Sequence, residues 1–71
     1  MNRITFNSKI LGGKPIIKGT RISVDFILEL FAGGMSEKEI LGEYPCLTKA
    51  DIKAALEYAV QSVKREVVLV R

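Results

Sequence analysis

The period of the apolar positions changes twice along the chain. Arg3-Ile4-Thr5-Phe6 alternates with period two, and Pro15 to Ser23 carries two short apolar pairs separated by Lys18-Gly19-Thr20. Residues 1–23 therefore read as short strands joined by glycine turns. At Ser23 the period becomes helical: Val24, Ile27, Leu28 and Phe31 fall at i, i+3, i+4 and i+7, behind a Ser23 N-cap with Asp25 in the first turn, and Gly33-Gly34 ends the run. Phe26 and Leu30 lie off this stripe. They widen the apolar arc beyond what one packing surface needs, so the strand segment or another subunit is expected to cover them.

Two further helix starts carry the same device. Met35-Ser36-Glu37-Lys38-Glu39-Ile40 supplies a serine N-cap, a glutamate at N3 to bond back and a Met35/Ile40 staple, and Leu47-Thr48-Lys49-Ala50-Asp51-Ile52 repeats the arrangement. Pro45 pushes Tyr44 out of helical geometry, which predicts a short helix at residues 37–43. The following helix is longer, with a stripe of Ile52, Ala55, Leu56, Ala59, Val60 and Val63 expected inside, and Lys49, Lys53 and Glu57 outside. Val67-Val68-Leu69-Val70 can extend that helix, but its β-branched composition favours a strand seeking an edge. The expected fold is mainly α: one domain over residues 1–71, with a basic strand and turn segment (1–23), a three-helix unit (24–65) and an apolar tail (66–71).

A chain of 71 residues is near the lower limit for independent folding. A second copy would bury the extra arc of Phe26 and Leu30, so a homodimer is expected. No apolar run is long enough for a membrane span, and Met1 to Phe6 lacks the continuous apolar core of a secretory leader, so a cytoplasmic location is expected. Cys46 is the lone cysteine and is expected to be a small half-buried residue after Pro45.

The net charge of +3 is unevenly placed. Arg3, Lys9, Lys14, Lys18 and Arg21 precede the first acid, Asp25, whereas residues 25–63 carry seven acids against three lysines. The basic segment suits a polyanion or an acidic partner, and solvation alone is the plain alternative.

Catalytic and metal chemistry lacks parts: the chain has no histidine and no Cys/His cluster, so no cofactor or metal is expected. The carboxylate pairs Asp25/Glu29 and Glu39/Glu43 read as solvated helix faces. Gly12-Gly13-Lys14-Pro15 through Gly19-Thr20 fails the phosphate-loop order, because Lys18 precedes Gly19 instead of following it. Its glycines read as tight turns. A short helix, a turn at Tyr44-Pro45-Cys46-Leu47 and a longer helix have the proportions of a helix-turn-helix, whose last helix would present Lys49, Ala50 and Lys53 to a major groove. Against this, Asp51 and the acids of the preceding helix would sit close to the phosphates, and the first two turns of the last helix have no Arg, Asn or Gln for bidentate base contacts. Plain helical packing stays open as the other reading.

Gly13-Lys14-Pro15, Gly19-Thr20-Arg21, Gly34-Met35-Ser36, Tyr44-Pro45 and Tyr58-Ala59 occur in that order, and over residues 12–59 the chain resembles the prokaryotic family named domain of unknown function 433. The resemblance implies a homeodomain-like three-helix fold and a role as a VapB-like antitoxin, which neutralises a PIN-like ribonuclease toxin, binds operator DNA and has no enzymatic activity. It implies that the C-terminal part, by position Val67, Val68, Leu69, Val70 and Arg71, meets the toxin. The DNA-binding candidates are Lys14, Lys18, Arg21, Lys49 and Lys53, and the partner-binding candidates are Phe26, Leu30 and residues 67–71. The alternative reading is a dimeric protein-interaction domain without DNA binding.

Overall fold

The computed structural model describes residues 3–66. Within them, β1 (Ile4–Phe6) pairs antiparallel with β2 (Pro15–Ile17) in the register Ile4 to Ile17, Thr5 to Ile16 and Phe6 to Pro15. The connection between them reverses through a 3-10 turn at Leu11–Gly13, where Leu11 (φ 51°), Gly12 (φ 67°) and Gly13 (φ 88°) are all left-handed. A second reversal follows β2, and Gly19 takes φ 84° there. The Thr20 hydroxyl locks this turn by donating to the Ile17 carbonyl at 2.8 Å and accepting from the Ile22 N–H at 2.9 Å. The residue types of the opening segment thus serve turns, as expected of glycines in positive φ.

Three helices follow: α1 (Val24–Ala32), α2 (Glu37–Glu43) and α3 (Lys49–Glu66). Ser23 caps α1 by accepting from the Phe26 N–H. At the other end Gly34 (φ 102°) lets its own N–H reach Phe31 and the Met35 N–H reach Leu30, the double bond of a Schellman stop. α2 begins with a complete capping box, Ser36 accepting from the Glu39 N–H and the Glu39 carboxylate accepting from the Ser36 N–H. α3 repeats it with an aspartate: the Asp51 N–H donates to Thr48 Oγ1, and the Thr48 N–H donates to Asp51 Oδ2.

Ile17, Val24, Ile27, Ile40, Leu47, Ile52 and Ala55 form the core, drawn from the sheet and all three helices. The result is a small compact domain of three helices carrying a short two-stranded antiparallel sheet at its N-terminal side.

Three expectations are corrected by this packing. Cys46 is exposed, not half-buried, because the turn between α2 and α3 directs Leu47 into the core. The outward arc of α1 finds cover from α2 and the core within the same chain: the Phe26 ring stands edge-on to Tyr44, with centroids 5.6 Å apart, and Leu30 packs partly buried against the core. The third correction concerns α3. Ile52 and Ala55 are buried as expected, but Leu56, Val60 and Val63 are exposed, and Asp51, Ala54 and Tyr58 turn inward instead. The inward face is rotated by roughly 100° from the apolar stripe, at 3.6 residues per turn. The run Val67 to Arg71, with its choice between strand and helix, lies outside the described residues.

Candidate functional site

Charged side chains meet the three-helix unit at two places. At the first, Arg3 at the start of β1 reaches the first turn of α3, its Nη1 standing 3.1 Å from Asp51 Oδ1. Asp51 is 5% exposed. Its two carboxylate oxygens divide the work, Oδ1 taking the guanidinium and Oδ2 taking the Thr48 N–H, so the buried charge is paired and hydrogen-bonded. The sequence suggested that this acid would repel phosphate at the start of α3. Folding removes it from that surface and leaves Lys49, Ala50 and Lys53 exposed there.

The basic segment is held near this helix start through the backbone. Lys18 N–H donates to the Arg3 carbonyl at 2.7 Å, immediately beside the residue that grips Asp51. Lys18 and Arg21 are both exposed, and neither enters an ion pair among the described residues. Arg21 borders an open hollow with Thr5, Phe6, Asn7 and Thr20 on the outer side of the β1–β2 hairpin.

Lys14 belongs to the second place. Its Nζ stands 3.2 Å from Asp25 Oδ2 in a solvent-facing pair, at the edge of a groove lined by Pro15, Val24, Leu28, Ala59 and Val63. A hydrogen bond from the Ser23 side chain, and then the Lys14 ammonium, hold the Asp25 carboxyl below its ordinary value of 3.8. A depressed carboxyl stabilises the folded state above its unfolded pKa and loses that contribution as pH falls through the folded value. In Lys14→Gln, the Asp25 titration followed by NMR is therefore expected to move up toward 3.8 while staying below it, because the serine bond remains. A midpoint unchanged from the parent would remove Lys14 as a cause.

The structure thus leaves Lys49 and Lys53 exposed at the start of α3, ties the Lys18 backbone to Arg3, places Arg21 beyond the turn and commits Lys14 to a neighbouring carboxylate. Phe26 and Leu30 are half-buried within the chain. Residues 67–71 lie outside the described part. Two features escaped the sequence reading. Arg3 was counted only as part of a basic segment, and its partner lies 48 residues away. The exposed line Leu56, Val60 and Val63 continues the helical stripe of the buried pair Ile52 and Ala55, so nothing in its spacing marks it as outward-facing.

Most of the recurring residues that carried the resemblance shape backbone: Gly13 and Gly19 turn it, Thr20 ties it, Gly34 and Ser36 stop and start helices. Tyr44 and Tyr58 each face a phenylalanine, Phe26 and Phe6 respectively. A set of turn, cap and packing residues in fixed order defines a fold independently of any activity, and the comparisons agree. A crystal structure of a DUF433 member protein from Anabaena variabilis superposes with a TM-score of 0.84 at 34% identity, covering 92% of this chain and 64% of that one. The uncharacterized protein y4eO of Sinorhizobium fredii is 36% identical over 56 residues, 79% of this chain but 25% of its own length. An uncharacterized protein of Archaeoglobus fulgidus is 60% identical over 25 residues, 35% of this chain and 69% of its own. This chain accordingly spans a quarter of the Sinorhizobium protein and under two thirds of the Anabaena one. The family model described as protein of unknown function (DUF433) matches residues 4–59, from the first strand through the middle of α3, and the chain belongs to that family.

Proposed function

We propose that the chain is an antitoxin-like module that sets the start of α3 and the adjoining basic turn against DNA and binds a PIN-like ribonuclease, with no catalysis of its own. The observation that carries this reading is the burial of Asp51 under Arg3, which takes that acid off a helix start bearing the exposed Lys49 and Lys53. The order of a short helix, a turn and a longer helix supports a homeodomain-like relation, with α3 in the position of the reading helix. Lys18 and Arg21 add phosphate contacts beside it, and the same basic groups suit the carboxylate-lined metal site of a PIN-like enzyme. Lys14, already shared with Asp25, contributes less. A cytoplasmic setting is part of this proposal, as is toxin contact through residues 67–71.

Binding of a labelled duplex taken from upstream of the gene is the test. Affinity is expected to fall with salt, and replacing Lys49 and Lys53 together with alanine is expected to reduce the log–log slope by about 2, one for each lost phosphate contact. Lys18→Gln with Arg21→Gln is expected to do the same. Absence of binding at low salt would defeat the DNA half, and failure to co-purify with the product of a neighbouring PIN-like reading frame would defeat the toxin half. The second reading, a dimeric interaction domain without DNA contact, draws on the apolar line left exposed on α3.

A further inference from the structure

Leu56, Val60 and Val63 are 40%, 51% and 61% exposed and lie along one side of α3. A spacing of four and then three residues is that of a seam between two helices, each seam residue fitting between residues of the facing helix. The sequence continues it backward to Lys53 and forward to Val67 and Val70, the last two beyond the described residues. Glu57 follows Leu56 and Lys64 follows Val63, so an exposed acid and an exposed base flank the line on one side, seven residues apart. Beside Val63 the line borders the groove containing Pro15, Leu28 and Ala59, which extends the apolar surface.

We propose that a second copy of this chain covers the line, its α3 lying antiparallel with Val60 of one copy opposite Val63 of the other. Charge selects both the partner and the direction. In this register Glu57 of each copy faces Lys64 of the other, which gives two equivalent ion pairs across a two-fold axis. A parallel seam would set Lys53 against Lys53, and would leave Glu57 beside Ile52 and Lys64 beside Ala59 with no opposite charge to meet. A heterologous helix need not carry the complementary pair, whereas a copy carries it by construction. The inference requires neither DNA nor toxin, so it stands or falls separately from the proposed function.

Sedimentation of the full chain across the micromolar range is the test, with circular dichroism as the check on folding. The parent is expected to dimerise. Val60→Glu is expected to weaken the dimer at least about a hundredfold by burying unpaired charge at the seam. Its helix content should be kept, because Val60 is half exposed in the single chain. Glu57→Lys and Lys64→Glu are each expected to weaken association about tenfold, and the two combined in one chain to restore it to within about threefold. A monomeric parent, or a Val60→Glu dimer of parental strength, would overturn the seam. A combined swap as weak as the single ones would overturn the antiparallel register.

Discussion

Ile27→Ala is expected to bring the protein close to its unfolding threshold. Ile27 has no exposed surface and belongs to the core that the sheet and all three helices share. Truncating such a side chain costs about 2–5 kcal/mol, the transfer of the lost carbons plus the cavity that the neighbours fail to close. A 71-residue chain has only about 4–10 kcal/mol in total, at the usual stability per residue. Urea unfolding followed by circular dichroism is expected to show a midpoint lowered by half or more, with Ile27→Val losing about 0.5–1.5 kcal/mol as a graded control. A loss below about 1 kcal/mol for the alanine variant would mean that the α1–α3 contact is far looser than its burial indicates.

Asp51→Ala carries the second largest expected effect and separates the two duties of one carboxylate. Its removal leaves the Thr48 N–H without its side-chain acceptor and Arg3 without its partner, for a loss of about 2–3 kcal/mol. Asp51→Asn keeps an acceptor for the cap and gives up the charge, so about half of the loss is expected to return. Arg3→Gln should cost about 1–2 kcal/mol, less than Asp51→Ala, because the cap remains intact and the arginine is half exposed, although the buried Asp51 carboxylate loses its cation. Thermal unfolding of the three variants checks the order, and an Asp51→Ala variant as stable as its parent would show that the buried pair contributes nothing net.

The parts of the fold legible in the sequence were those decided within a few residues. Ser23, Ser36 and Thr48 announced three helix starts, Gly33-Gly34 a stop and Pro45 a break, because caps and breakers act through neighbouring backbone groups. What escaped was decided by distant partners. The inward turn of Asp51 depends on Arg3, 48 positions earlier, and a carboxylate is seldom buried without such a partner. Once Asp51 faces inward, Leu56, Val60 and Val63 must face outward, since all four share one rigid helix. The fate of Phe26 likewise turned on Tyr44 at the far end of α2. Of the candidate site, the charge was legible but not its allocation: nothing local distinguished Lys14, which pairs with Asp25, from Lys18, which enters no ion pair among the described residues.

α3 is unusually long for so small a chain, 18 residues from Lys49 to Glu66, and in the proposed pair its length becomes a ruler. An antiparallel seam centred between Gln61 and Ser62 places the two Lys49 positions about 37 Å apart along the common axis, at 1.5 Å per residue. Successive major-groove faces of duplex DNA recur about every 34–36 Å. The pair would therefore span two half-sites in inverted repeat, separated by one turn of the double helix. Lengthening the path from Lys49 to the centre of the seam by one helical turn in each copy would move the two Lys49 ends apart by about 11 Å, far enough to lose the second half-site.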